Sequence, residues 1–238
     1  MIYAYDSRVR YSEIDENAQM TLFSLINNLQ DCCTFHGEEV GVGLRWNMER
    51  GHAWIVANLQ MHVRQYPQFG DRIRVSTWAV GLRGMIAQRN FRVELTDGTL
   101  LAEAATEWVF MDMVNKRPIR IPEEQGVYGL HPEETLSQSL GKRKIRLPEA
   151  MEENKPYQIH EYHLDTNRHV NNAQYVRMAL RYLPQDFEVH HMRVEFKKQA
   201  LLGDDVVPLV SSLQENGAIY VKLADKAGDS FFLGEFLS

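Results

Sequence analysis

Hydrophobic and polar residues alternate through residues 55–63, 72–79, 87–95 and 101–111, and again through 189–197, 206–213, 219–224 and 231–237. These runs are rich in Val, Ile, Phe, Tyr and Trp, and such alternation turns one face of a strand to a core and the other to solvent. Turn signals separate them, at Thr96-Asp97-Gly98-Thr99, Glu215-Asn216-Gly217 and Lys226-Ala227-Gly228-Asp229, where Gly supplies positive φ without a Cβ clash. Two stretches keep a different rhythm. Leu22, Phe23, Leu25, Ile26, Leu29, Cys32, Cys33 and Phe35 recur near every 3.6 residues, as do Val170, Ala173, Val176, Met178, Ala179, Leu180 and Leu183, which predicts one amphipathic helix in each half. Each helix must bury its apolar stripe, and the antiparallel sheet of its own half is the surface available. The expected class is α+β, two sheet-and-helix units in tandem.

The two halves read as copies. Tyr11-Ser12-Glu13-Ile14-Asp15-Glu16-Asn17-Ala18-Gln19-Met20 precedes the first helix and His163-Leu164-Asp165-Thr166-Asn167-Arg168-His169-Val170 the second, so Asp-x-Asn-x-(Gln/His)-apolar recurs at an offset of 150. Gln68-Phe69-Gly70-Asp71 and Leu201-Leu202-Gly203-Asp204 echo each other at an offset of 133, each followed by an alternating strand. The smaller offset gives the first copy a longer helix-to-strand connection, placed within residues 37–52. Residues 113–157 hold Pro118, Pro122, Pro132, Pro148 and Pro156 with charge clusters, which predicts a connection with at most short helices. The expected domains are 1–115 and 157–238, with 116–156 as linker.

The sharpest chemistry lies in Asp165-Thr166-Asn167-Arg168-His169-Val170-Asn171-Asn172. A carboxylate, an amide and an imidazole stand at i, i+2 and i+4 where strand hands over to helix, and free N–H groups at a helix start favour an anion. That set suits a developing oxyanion; equally, Asp165 or Asn167 can cap the helix and His169 can simply pack. The first copy keeps Asp15 and Asn17 but has Gln19 where the second has His169, so only the second holds a group that titrates near neutrality. One catalytic copy and one structural copy is the economical expectation.

Composition narrows the partners. With 26 Lys and Arg against 32 Asp and Glu, the net charge is −6, which argues against nucleic acid or an anionic membrane surface. Cys32 and Cys33 are the only cysteines and are adjacent, so no cystine framework is encoded and a reducing cytoplasm is expected. No apolar run reaches the roughly 18 residues of a membrane span, and the N-terminus carries no basic or apolar leader, so a soluble, untargeted protein is expected. His160 with His163, and His190 with His191, make no ready chelate if the chain is extended there, because those spacings diverge across a strand. Cys32, Cys33 and His36 fall in an amphipathic helix, where buried packing is expected. No Gly-x-Gly-x-x-Gly, P-loop, Gly-x-Ser-x-Gly or His-Glu-x-x-His string occurs, so neither organic cofactor nor metal is expected.

The string Asp165-x-Asn167-x-His169-Val170-Asn171-Asn172, followed by Tyr175, resembles the signature of the acyl-acyl carrier protein (acyl-ACP) thioesterases, double hotdog enzymes of plant plastids and of bacteria. Arg64-Gln65-Tyr66-Pro67-Gln68-Phe69-Gly70-Asp71, Thr77-Trp78, Arg89-Asn90-Phe91 and Trp108-Val109-Phe110-Met111-Asp112 resemble further blocks of that family, in order. The resemblance spans roughly residues 3–235. It implies a tandem hotdog, each an antiparallel sheet wrapped around a long central helix. It also implies hydrolysis of fatty acyl-ACP to free fatty acid and ACP, ending chain elongation, with catalytic positions falling on Asp165, Asn167 and His169. Asp165 would attack directly or act as general base, and the residues leave both open. The plant enzymes carry a Glu-Cys pair where this chain has Gln199 and Ala200, so a cysteine nucleophile is untenable there, while the Gln199 amide could orient water.

The implied partner is an acidic carrier protein. Lys142, Arg143, Lys144 and Arg146 with Lys197, Lys198, Arg168 and Arg177 could form a basic rim for it, or be solvated charges that deter edge pairing. Trp46, Met48, Trp54, Val56 and Met61 could line an acyl pocket in the first hotdog, or simply be core. An acyl-CoA thioesterase and a non-catalytic acyl-thioester-binding hotdog stand as alternative functions, and a hotdog dehydratase fits the motif less well. Monomer and homodimer are both open, and a bacterial cytoplasmic setting is expected.

Overall fold

The computed structural model describes residues 1–137 and 144–238; Lys142 and Arg143 of the expected basic rim lie outside them. The chain divides into two units, Met1–Leu140 and Gly141–Ser238.

The first unit contains β1 (Tyr3–Arg8), α1 (Leu22–Glu39), α2 (Leu44–Glu49), β2 (His52–Val63), β3 (Arg72–Arg83), β4 (Ile86–Leu95), β5 (Leu100–Asp112) and β6 (Arg117–Pro118). Its strands pair in the order β1-β3-β4-β5-β2, antiparallel throughout, with β6 on the end of β5. Thr21 caps α1 by accepting from the Ser24 N–H at 3.1 Å, and α1 buries Leu22, Leu25, Ile26, Leu29 and Cys32 against β1 and β3. Along β4 the inward positions are Ala87, Arg89, Phe91 and Val93, the period of two read from the sequence. The turn after β4 is closed by Asp97, whose Oδ1 accepts from the Thr99 N–H at 2.9 Å, with Gly98 at φ 89°. The longer connection expected within residues 37–52 contains α2.

The second unit contains β7 (Glu152–Glu153), β8 (Tyr157–Gln158), α3 (Asn172–Leu180), β9 (His191–Phe196), β10 (Asp205–Val210), β11 (Ala218–Ala224) and β12 (Ser230–Leu237). Their order is β9-β12-β11-β10-β7, again antiparallel, with β8 also on β10. Ala173, Val176 and Ala179 of α3 are fully buried, and the helix lies on β11 and β12. Each unit is thus a sheet closed on a helix, the hotdog arrangement.

Two expectations from periodicity overreach. The second helix does not continue to Leu183, and with nine residues it is not the long helix expected. Its last turn tightens through Tyr182 N–H to Ala179 O (3.1 Å) and Leu183 N–H to Leu180 O (3.2 Å), and Pro184 forbids further helix. The strand read over 206–213 stops at Val210, where Ser211 and Gln214 turn their N–H groups to Tyr220 and Ala218 and Leu213 points outward, 62% exposed.

The proline-rich stretch is packed on both sides of the undescribed residues. In the first unit Tyr128 joins Val42 and Ala79 in a small core, Glu134 O accepts from the Trp78 indole at 3.0 Å, and the buried Glu103 accepts from the Ser137 N–H. In the second, Ile145 packs with Ala218, Tyr220 and Leu233.

His36, on the buried face of α1, has no exposed surface. Its ring stacks on Tyr3 at 5.4 Å and meets the edge of Tyr128 at 5.0 Å, and Arg89 Nη1 lies 3.0 Å from its Nδ1. Burial first, then the Arg89 cation, pushes its pKa down to about 3, so the folded protein holds it neutral. An unfolded histidine takes up a proton below about 6.5, so below that pH the unfolded chain binds a proton that the fold refuses. Stability therefore falls as pH drops from about 6.5 toward 3, by up to about 1.4 kcal/mol per pH unit from this group. The urea midpoint of the wild type is expected to fall between pH 7 and pH 4.5, and the fall to be smaller in His36→Asn; equal falls in the two proteins would remove His36 from the account.

Candidate functional site

The segment before α3 is a braced loop. A 3₁₀ turn, Glu161–His163, leads into Leu164, which bridges to Val170. Between them Asp165 folds back on its own backbone: its Oδ1 accepts from the N–H groups of Asn167 at 2.8 Å and His169 at 3.2 Å. Its N–H reaches His169 O at 2.7 Å, and its carbonyl accepts from Arg168 at 3.0 Å. The geometry forces Arg168 to φ 61°.

The first copy repeats it bond for bond. Asp15 Oδ1 accepts from Asn17 and Gln19 at 2.9 and 3.0 Å, Asp15 N–H reaches Gln19 O at 2.9 Å, and Ala18 N–H reaches Asp15 O at 3.1 Å. Ala18 has φ 61°. The second echo also holds. Val9 and Ile159 exchange backbone bonds with the Gly70-Asp71 and Gly203-Asp204 turns, and Asp71 and Asp204 each cap a turn through Oδ2. The Asp-x-Asn pattern therefore specifies a loop before it specifies chemistry, because a carboxylate flanked by turn residues satisfies N–H groups that neither helix nor strand can.

Copies differ where side chains meet the loop. Met20 N–H donates to Pro67 O at 2.8 Å, and Val170 N–H donates to Ala200 O at 3.3 Å. Pro67 has no N–H, whereas Ala200 has one and is fully buried. Tyr175 supplies the acceptor, its Oη 2.8 Å from Ala200 N, at the position where the first copy has the buried Leu25. Tyr175 stacks on Phe232 at 6.1 Å, and burial pushes its phenol up to about 12, so it stays protonated and can also donate.

The loop thus carries Asp165, Asn167 and His169 together, and the Ala200 anchors hold the neighbouring Gln199, exposed, beside it. Asp165 Oδ1 is committed to the brace, while Oδ2 accepts no hydrogen bond among the described residues. Asn167 is exposed; His169 is half-buried with its Nδ1 buried and unpartnered among those residues. Among the described residues the expected cluster of free N–H groups at the helix start is reduced to one. Asn171 Oδ1 takes Ala173 N–H at 2.8 Å and Asn171 O takes Gln174, while Val170 and His169 donate within the loop and its anchor, leaving Asn172 N–H unassigned.

Other candidates resolve structurally. His160 and His163 do not diverge, because the segment is a 3₁₀ turn and not extended: their rings lie 5.9 Å apart, and His163 Nδ1 accepts from its own turn's His160 N–H at 3.0 Å. Glu13 fills that role in the first copy. Burial raises both thiol pKa values, that of Cys33 to about 11, so neither is a thiolate near neutrality. Among the described residues no group of three His, Cys, Asp or Glu side chains is placed to hold a metal, and no helix is long and apolar enough to cross a membrane. In the expected basic rim, Lys197 pairs with Glu195, and Lys198 with Asp225 at 2.7 Å. Of the acyl-pocket candidates Val56 and Met61 are buried, Trp46 lies under Arg50 at 4.2 Å, the Trp54 indole bonds Gln125 at 3.2 Å, and Met48 is mostly exposed.

Family models cover most of the chain: the acyl-ACP thioesterase N-terminal domain matches residues 2–126, and the C-terminal domain of the same family residues 147–232. The chain belongs to the acyl-ACP thioesterase family. It is 26% identical to a chloroplastic palmitoyl-acyl carrier protein thioesterase of Gossypium hirsutum over 218 residues, covering 84% of this chain and 52% of the relative. It is also 26% identical to a chloroplastic dodecanoyl-[acyl-carrier-protein] hydrolase of Cinnamomum camphora over 221 residues, 85% of this chain and 57% of that one. The chain therefore spans about half the length of these relatives. Solved structures confirm the double hotdog fold: an acyl-ACP thioesterase from Bacteroides thetaiotaomicron superposes with TM-score 0.88 at 19% identity, covering 99% of this chain and 97% of that one. The 12:0-ACP thioesterase from Umbellularia californica gives 0.85 at 17%, covering 99% and 96%.

The family motif's aspartate is thus doubled in this member, and Tyr175 and Arg168 are the residues that motif reading alone undervalues. At the offset of 150 each stands opposite a small or apolar residue of the other copy, Leu25 for Tyr175 and Ala18 for Arg168. Tyr175→Phe is expected to leave the Ala200 N–H buried without an acceptor and to destabilise the fold by about 1–3 kcal/mol in urea unfolding. Asp15→Ala should cost a similar amount by unlocking two N–H groups, and Asp15→Asn, which keeps an acceptor oxygen, much less; equal losses in the two Asp15 variants would show that the brace is not what Asp15 supplies.

Proposed function

We propose that this chain hydrolyses the thioester of fatty acyl-ACP to free fatty acid and ACP, ending chain elongation. What carries the reading is the family match over both halves together with a second-copy loop that presents Asp165, Asn167 and His169. The proposed hotdog domains are residues 1–115 and 157–238 with 116–156 between them, and the chain acts as a monomer or homodimer without metal or organic cofactor. A bacterial cytoplasm is the proposed setting, in keeping with two unbridged cysteines.

In this mechanism the thioester carbonyl lies at the start of α3, its oxygen held by the Asn172 N–H and the Asn167 amide. Asp165 Oδ2 removes a proton from water, and the water oxygen forms the new C–O bond. His169 stabilises the negative charge that develops. The C–S bond then breaks, and the proton held by Asp165 passes to the departing thiolate, which leaves as the thiol with the free acid. The Gln199 amide orients the water, the role open to it where plant relatives hold a carboxylate.

Thiol release from matched acyl-ACP and acyl-CoA series of varied chain length tests the reading. Asp165→Asn keeps an acceptor for the brace and removes the base, so turnover should fall roughly 10²-fold or more with the fold intact. His169→Ala should fall comparably. Release from acyl-CoA in preference to acyl-ACP, or near-wild-type turnover in Asp165→Asn, would overturn it. Single turnover in ¹⁸O-water should place the label in the fatty acid and none in Asp165; label in Asp165 would make it the nucleophile instead.

A further inference from the structure

Arg168 stands between Asn167 and His169 at the exposed tip of the braced loop. The same tip in the first copy is Ala18, at the same φ of 61°. Two independent copies therefore require a left-handed residue here, a conformation that costs a side-chain-bearing residue about 1 kcal/mol and that glycine adopts freely. Placing a long cation at such a point has no structural return visible in the fold. The Arg168 backbone makes the loop bond that Ala18 also makes, and its guanidinium joins no ion pair among the described residues.

The surroundings sharpen the point. From His160 to Tyr175 Arg168 is the only Lys or Arg, in a stretch that also holds Glu161 and Asp165 and in a chain of net charge −6. On the Gln199 side, Lys197 and Lys198 have their charge met by Glu195 and Asp225. Among the described residues Arg168 is thus a cation without an ion pair, in the same loop as the carboxylate that does the proposed chemistry. An acyl thioester delivered on a pantetheine arm brings a phosphate on the far end of that arm, and a guanidinium binds phosphate with two parallel N–H bonds.

We propose that Arg168 is the phosphate-binding residue for the pantetheine arm of the acyl carrier. The inference rests on the proposed function only in taking an acyl thioester as the ligand. The contact lies outside the reacting atoms, so it holds the carrier and offsets the repulsion that Asp165 and the acidic chain impose on an anionic ligand.

The test is direct binding by calorimetry, which needs no turnover. The probes are a non-hydrolysable fatty-acyl thioether of pantetheine and its 4′-phosphorylated counterpart, against wild type, Arg168→Gly and Arg168→Lys. The phosphate should tighten wild-type binding roughly tenfold, in line with a charge-assisted contact. Arg168→Gly should bind both probes alike, and Arg168→Lys should keep part of the difference as a point charge. Arg168→Gly should also be at least as stable to urea as wild type, since it removes the left-handed penalty. A phosphate effect absent from wild type, or surviving in Arg168→Gly, overturns the proposal. Thioethers borne on CoA and on ACP separate the two sources of the phosphate: a loss in Arg168→Gly on both supports the assignment. A loss confined to the ACP-borne ligand places the contact on the carrier protein's own carboxylates and overturns it. Absence of hydrolysis in the thiol-release assay defeats the proposed function alone and leaves this binding result standing.

Discussion

One carboxylate oxygen in each half holds the turn from which everything else is hung. Asp15 Oδ1 and Asp165 Oδ1 each take two backbone N–H groups that lie past a 3₁₀ turn and before a helix, where no ladder could use them. The energies explain why the loop survives its own strain: two charge-assisted bonds, each worth about 1.5–3 kcal/mol, outweigh the roughly 1 kcal/mol cost of a left-handed Ala18 or Arg168. Once the loop is fixed, the N-cap at Thr21 or Asn171 is fixed, and with it the direction in which each helix enters its sheet.

On that shared frame the two copies diverge by substitution at a few positions. Glu13 becomes His163, with the same backbone N–H as partner. Pro67 becomes Ala200, which creates a buried N–H, and Leu25 becomes Tyr175, which satisfies it. Changing Pro67 alone would strand a donor at a cost of about 1–3 kcal/mol, and changing Leu25 alone would bury a hydroxyl without a partner. The pair is coupled, and it exists only in the half that carries His169.

Strand positions were legible because alternation is a direct image of burial: Ala87, Phe91 and Val93 point inward as their period requires. The loop was legible as a repeat, since Asp15 and Asp165 recur with the same neighbours, although the repeat said that the segment mattered and not that its carboxylate is half consumed by its own backbone. The apolar period runs past the helix end at Leu180 to Leu183, but Pro184, one residue on, denies the backbone. The packing of 117–137 was hidden for a related reason. Its prolines suit a chain with little ladder pairing beyond β6 on β5 and the bridge from Leu130 to Ala79, yet Tyr128, Glu134 and Ser137 are held by side chains, Trp78 and Glu103 among them, that lie far away in sequence.

The duplication also bears on which residues distinguish a reacting site from a folded loop. Asp165 and Asn167 have counterparts in Asp15 and Asn17 that hold the same geometry with Gln19 in place of His169, so on the proposed reading the aspartate and asparagine alone do not make a catalytic copy. In the proposed mechanism the brace still contributes, because a carboxylate pinned through Oδ1 has lost its rotamer freedom before substrate arrives, and Oδ2 is already aimed. The ordering entropy of that side chain is therefore spent on folding and not on reaching the transition state. What separates the halves is the company the aspartate keeps: an imidazole at His169, a phenol at Tyr175 and a cation at Arg168 stand where the first copy has an amide, an aliphatic chain and a methyl group. On the proposed mechanism, chemistry is thus an addition to a loop whose carboxylate was required by the backbone in either case.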